Sequence, residues 1–263
     1  MTYGAVGVVA APGAQALIQI LPRILSGRRV GILGPTYAEH AAAWRRAGRD
    51  VVDCASPDEL AACDIGVLVN PNNPDGRIVA TDELERLARR TVLVIDESFA
   101  DFSPEMSLAS AAPLCGAIVL RSFGKAYGLA GIRLGFAIAG RAVEQRLREE
   151  LGPWAVSGIA VEIGRRALAD AAWRDAAREN LAADATRLDA VLTRAGLRIV
   201  GGTSLFRLAK SPRAQAIGDA LGGAGVHVRR FAARPDLLRF GLPPSGAWPR
   251  LERVLRAADG SAA

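Results

Sequence analysis

Apolar residues along this chain gather in short runs, and amphipathic stretches separate them. AVGVVAA (5–11) is such a run and predicts a strand. Leu17, Ile18, Leu21, Ile24 and Leu25 then recur at helical spacing, so a helix is expected to begin near Gly13 to Gln15. VGIL (30–33) predicts a second strand, followed by Thr36 and Glu39 at capping-box spacing and Gly48 as a helix stop. DVVDC (50–54) predicts a strand, and Ser56-Pro57-Asp58-Glu59 a helix start with proline at its first position. IGVLV (65–69) is a buried strand that runs into the turn-rich NPNNPDG. An amphipathic helix follows from Asp82 through Leu84, Leu87 and Ala88.

VLVIDE and AIVL predict two more strands, and another is expected from Gly135. Gly152-Pro153-Trp154 breaks the helix after it, and an Ala/Arg/Leu-rich helical region then runs to about Arg194. RIVGGTSLFRLA, VHVRRF and DLLRFGLP have strand character, with a helix expected over 214–221.

The 263 residues carry a net charge of +6, mostly as arginine scattered through helices, including Arg45, Arg46, Arg86, Arg89 and Arg90. No basic run interleaves with aromatics, so a solvated helical face is favoured over nucleic-acid binding. Cys54, Cys63 and Cys115 lack CxxC spacing, so neither a disulfide framework nor a metal site is indicated. No apolar run reaches membrane-spanning length, and a cytoplasmic protein without membrane contact is expected.

Candidate chemistry lies between VLVIDES and SFGKAYGLAGIRLG. Asp96, at the end of a buried strand, is costly unless it meets a cation or a strong donor. Lys125 stands in an apolar, Gly-rich segment, where lost hydration is expected to lower its pKa. An acid for a ring nitrogen and an amine for a carbonyl together suggest a pyridoxal phosphate site. VLVIDE also invites an ATPase reading, but Gly124-Lys125 is followed by Ala126 and no GxxxxGK[ST] loop occurs.

SFGKAYGLAGIRLG resembles the Schiff-base lysine segment of the fold-type I, aspartate-aminotransferase-like enzymes. DESFADF resembles their pyridinium-partner segment and NPNNPDG their Asn-Pro loop, in the family's order. In finer detail PGAQALIQILPRI and GPTYAEHAAAWRRAG are similar to the threonine-phosphate decarboxylase group of cobalamin biosynthesis. The fold implied is α/β, a mostly parallel sheet sandwiched by helices in 1–160, with a smaller α+β domain in 161–263.

The resemblance also implies site roles. Asp96 would face the pyridine nitrogen, and Lys125 would hold the cofactor. Gly13, Ala14 and Gln15 would form a phosphate-binding turn at a helix start, with Ser122 and Arg133 as further phosphate ligands. Without the resemblance, that turn reads as an ordinary strand–helix turn and Arg133 as a surface ion pair. Tyr37 would stack on the ring, with simple packing an even alternative. Asn73 would donate to the ring hydroxyl oxygen. Phe99 stands where most of the family has Tyr and cannot donate, a departure shared with the decarboxylase group. Arg239 would bind substrate, with an edge-strand charge the alternative. Arg229 and Arg230 lie within possible reach of a substrate phosphate. His40 reads as structural.

The function implied is decarboxylation of L-threonine O-3-phosphate by a homodimer acting on a small phosphorylated amino acid. The alternatives are an aminotransferase, such as one for histidinol phosphate, and a catalytically silent cofactor-binding fragment. The last is motivated by the family's additional N-terminal segment, which normally covers the site and which the opening of this chain is expected to lack.

Overall fold

The central strands of the first sheet are short apolar runs, and the reason is that both faces of the sheet are covered there. The structure, a computed structural model, describes residues 7–259 and divides into two compact units. The first holds the residues up to Asn73 together with Arg77–Ala171, and the second Pro74–Gly76 with the residues from Ala172 on.

The first unit opens with β1 (Val8–Ala11), α1 (Ala14–Ile24), β2 (Arg29–Leu33), α2 (Ala38–Arg46) and β3 (Asp50–Cys54). It continues with the single-turn α3 (Pro57–Leu60), β4 (Ile65–Val69), α4 (Thr81–Ala88), β5 (Val92–Asp96) and α5 (Ala112–Cys115). It ends with β6 (Ile118–Ser122), β7 (Gly135–Ile138), α6 (Arg141–Leu151) and α7 (Gly158–Ala169). Residues 5 and 6, assigned to the opening strand from sequence, lie outside the described residues.

The seven strands are ordered β1-β7-β6-β5-β4-β2-β3. The pairs from β6 to β3 are parallel, while β7 runs antiparallel to both β6 and β1. Val67, Val94 and Leu120 pack on one face with Leu17, Leu21, Trp44 and Leu147 of α1, α2 and α6. The intervening Leu68, Ile95 and Val119 pack on the other with Leu60, Leu84, Leu87 and Ala112 of α3, α4 and α5. Strand side chains alternate between faces, so a sheet buried on both sides reads as continuous apolar runs. Each buried Leu or Ile stabilises the fold by roughly 1.5–3 kcal/mol.

The second unit contains α8 (Ala171–Arg194), β8 (Arg198–Thr203), β9 (Phe206–Lys210), α9 (Ala214–Gly223), β10 (Arg229–Arg230), β11 (Leu237–Gly241) and α10 (Trp248–Asp259). Its sheet, β10-β11-β9-β8, is antiparallel throughout. Leu188, Leu192, Ala209, Ile217, Leu238, Phe240, Trp248 and Leu255 form its core. RIVGGTSLFRLA, read as one strand-like stretch, folds as a hairpin, and VHVRRF supplies only the two-residue β10.

Two other details depart from expectation. Thr36 and Glu39 do not cap α2: its N-cap is Tyr37, without a side-chain cap hydrogen bond. The Thr36 hydroxyl donates instead to Asn72 Oδ1 at 2.6 Å. At α3 the Ser56 side chain caps the helix by accepting from the Glu59 N–H, and Glu59 accepts from the N–H of Ala55, the residue before the cap. No helix among the described residues is long and apolar enough to cross a membrane. No group of three or more His, Cys, Asp or Glu among them gathers as a metal site.

Candidate active site

The carboxyl ends of β1, β2, β4, β5 and β6 lie on one edge of the first sheet, where open α/β sheets hold ligands. Every site residue expected in this unit lies on the connections at that edge. Gly13, Ala14 and Gln15 follow β1, Tyr37 follows β2, and Asn73 follows β4. Asp96 ends β5 with Phe99 beyond it, Ser122 ends β6 with Lys125 beyond it, and Arg133 precedes the antiparallel β7.

Asp96 is only 4% exposed, and its two oxygens have different partners. Oδ2 lies 2.9 Å from Nε2 of the buried His40 in α2. Oδ1 accepts the Ser98 N–H at 2.9 Å and also the Ser98 hydroxyl. Burial by itself would raise the Asp96 pKa. The hydrogen bond and charge of His40, with the two Ser98 donors, outweigh burial and hold the carboxyl below its ordinary value. An ionised carboxylate has only acceptors, so the shared hydrogen sits on His40 Nε2. A carboxylate can take about four hydrogen bonds. His40 and Ser98 account for three of them, which suits a further N–H from a protonated ring.

His40, expected to be structural packing, is thus the buried partner of Asp96. The two are 56 residues apart, and no local pattern in the sequence announces the pair. Tyr37 stands beside them, 40% exposed, its ring edge-on to the imidazole at 6.1 Å. Its hydroxyl donates to Gln15 Oε1 at 3.4 Å, while Gln15 Nε2 donates to Glu39 Oε2 at 3.0 Å. A partly open aromatic face of this kind suits stacking on a planar ring.

The turn before α1 has the features of an anion seat. Gly13 adopts φ 83° and provides no side-chain cap for this 11-residue helix, and a helix start without a side-chain cap can offer its first N–H groups to an anion. A Cβ at Gly13 would lie 2.6 Å from Nη2 of Arg133, so the guanidinium reaches the helix start beside a position with no side chain. Arg133, itself at φ 53°, is exposed and donates from Nη1 to the Ala130 carbonyl at 3.1 Å. Gly135 is the strand partner of both Ala11 and Ser122. Helix start, serine and arginine therefore share one neighbourhood, and that donor set fits a phosphate dianion.

Asn73 is half-buried in a loop held by its neighbours. Asn70 exchanges two hydrogen bonds with the Val79 backbone, and Asn72 donates to the Pro35 carbonyl at 2.9 Å. Lys125 does not meet the expectation of dehydration: its side chain is exposed, while the flanking Phe123, Ala126 and Tyr127 turn inward. Its Nζ lies 5.8 Å from the centroid of the half-buried Phe99 ring. The chain contains two lysines. The other, Lys210, sits on β9 of the second unit and pairs with Asp236 at 3.2 Å.

Arg239 belongs to the second unit. It lies on β11, an interior strand, opposite Arg229, with its guanidinium 5.1 Å from the Phe206 ring centroid. Burial first, then the Arg229 charge, lowers its pKa. Arg230 pairs with Asp219 at 2.7 Å.

The sequence profile of the family described as aminotransferase class I and II matches residues 1–257. A threonine-phosphate decarboxylase of Pseudomonas aeruginosa is 45% identical over 96% of this chain and 79% of its own length. One from a Sinorhizobium species is 42% identical over 91% of this chain and 74% of its own. The crystal structure of the histidinol-phosphate aminotransferase from Clostridium acetobutylicum superposes with a TM-score of 0.87. It has 20% identity and covers 97% of this chain and 84% of its own. The chain belongs to the class I and II aminotransferases, a family of pyridoxal phosphate-dependent enzymes.

Proposed function

We propose that this protein decarboxylates L-threonine O-3-phosphate to (R)-1-aminopropan-2-ol O-phosphate, a step of cobalamin biosynthesis. The substrate assignment is supported by the likeness to the two threonine-phosphate decarboxylases, at 45% and 42% identity over most of the chain. The chemistry is supported by one observation above the others: a buried carboxylate, Asp96, kept ionised by His40 and Ser98.

Pyridoxal phosphate, when bound, supplies an electron sink for the pair left behind as carbon dioxide departs. Asp96 holds the proton on the ring nitrogen, and His40 holds Asp96. Arg133, Ser122 and the N–H groups after Gly13, those of Ala14 and Gln15, bind the phosphate. Tyr37 would stack on the cofactor ring, and Asn73 would donate to its hydroxyl oxygen, a duty that Phe99 cannot share. Lys125 would hold the cofactor through its amine, and that amine would deliver a proton to the substrate carbon once carbon dioxide has left. Arg239 is assigned an anionic group of the substrate. A homodimer working in the cytoplasm belongs to the same proposal and rests on the family resemblance.

Membership of the aminotransferase family favours a second reading, in which Lys125 removes the α-proton and an amino group is transferred. Cofactor-loaded protein given threonine phosphate separates the two. Release of carbon dioxide with formation of aminopropanol phosphate is expected. Clean amino transfer to 2-oxoglutarate without carbon dioxide would reject the decarboxylase.

A further inference from the structure

Glu97 and Arg121 stand beside Asp96 and Ser122 in the chain, are both buried, and have no part in the chemistry proposed above. The strand register brings them together. Asp96 pairs with Leu120, and the Glu97 N–H donates to the Leu120 carbonyl at 2.9 Å. Successive side chains leave a strand on opposite faces, so Glu97 turns away from His40 and towards the segment after it. There Glu97 Oε1 accepts the Leu108 N–H at 2.7 Å, and Oε2 accepts the Ser107 hydroxyl at 2.6 Å.

Arg121 closes the cluster from β6. Its Nε lies 3.3 Å from Glu97 Oε2, and its Nη1 lies 3.3 Å from Asp101 Oδ1. Its Nη2 donates to Ser107 Oγ at 3.1 Å. One planar guanidinium therefore pairs with Glu97 and reaches two points of the segment after it, Asp101 and Ser107, which a point charge cannot do. Apolar side chains of similar volume would fill this space at no desolvation cost, so stability alone gives a poor reason for the cluster. Phe99 lies within the gripped segment, and its ring is the one near Lys125 Nζ.

We propose that the Glu97–Arg121 pair is a positioning element that ties residues 99–109 to the ends of β5 and β6. It thereby holds the Phe99 ring where it orients the Lys125 amine towards the cofactor. This rests on the assignment of Lys125 as the cofactor-bearing lysine but not on the identity of the substrate.

Arg121→Lys keeps the charge but cannot reach Glu97, Asp101 and Ser107 at once, and the holoprotein is compared with its parent. The visible circular dichroism of the bound cofactor reports its orientation and is expected to diminish at unchanged cofactor occupancy. The kcat is expected to fall about tenfold with little change in KM. In a Phe99→Leu background the same substitution is expected to cost much less, because the ring it positions is gone. A dichroism signal and kcat that survive Arg121→Lys, or an equal loss with and without the Phe99 ring, would overturn the proposal. If Arg121→Lys does not fold, Glu97→Gln carries the same comparison, since it keeps an acceptor for Leu108 and drops the charge. A parent protein with no cofactor signal would overturn the lysine assignment and this inference together. A parental signal that persists in the variants would overturn the positioning alone. Failure of threonine phosphate as a substrate would leave the dichroism comparison intact.

Discussion

His40 Nε2 and Asp96 Oδ2 lie 2.9 Å apart, and both side chains are almost completely buried. Truncating one member of such a pair leaves the other charge uncompensated, at a cost of about 3–5 kcal/mol. His40→Leu is therefore expected to lose stability of that order at pH 7, measured by urea denaturation. The pH dependence has a definite sign. The folded-state pKa of Asp96 is depressed, so its contribution is present above the unfolded value of about 3.9 and is lost as pH falls below it. The gap between parent and variant should accordingly narrow in that acid range. A gap that widens there would contradict an ionised Asp96.

Asp96→Asn keeps the shape and removes the charge that holds a proton on the ring nitrogen. The phosphate seat is untouched, so cofactor should still bind while kcat falls by about 10²–10³-fold. Single-turnover measurement on cofactor-saturated protein checks this. Undiminished turnover would remove Asp96 from the chemistry.

Arg133→Met removes the cation at the start of α1. Hydrogen bonds to charged groups contribute about 1.5–3 kcal/mol, so cofactor Kd should rise roughly ten- to a hundredfold. Gly13→Ala attacks the same seat from the other side, because its Cβ would lie 2.6 Å from Arg133 Nη2 on a backbone at φ +83°. Both effects are read by equilibrium dialysis of the cofactor, and an unchanged Kd in both would place the phosphate elsewhere.

Much of the fold was legible in the sequence because the first sheet is buried on both faces. Val67 and Leu68, or Val94 and Ile95, face opposite cores, so strands such as β4 and β5 stood out as unbroken apolar runs. Local chemistry was less dependable. Ser56 caps its helix and Thr36 does not, because Asn72 across the sheet edge takes the Thr36 hydroxyl. The candidate edge drew notice through residues close in sequence, such as Ser122, Lys125 and Arg133, which the structure places between β6 and β7 or at their ends. His40 was not, because its value lies in a partner on another strand that only the β2-β4-β5 order brings near. The dehydration expected of Lys125 failed for a related reason. Apolar neighbours in sequence say nothing of which way a loop side chain points, and here Phe123 and Tyr127 turn in while Lys125 turns out.

The presence of two lysines makes the decisive measurement simple. Cofactor-loaded protein is reduced with borohydride, digested, and the modified peptide sequenced. The label is expected on Lys125 in SFGKAYG, with Lys210 unmodified. A label on Lys210, or no label on saturated protein, would contradict the assignment of Lys125 as the cofactor-bearing amine.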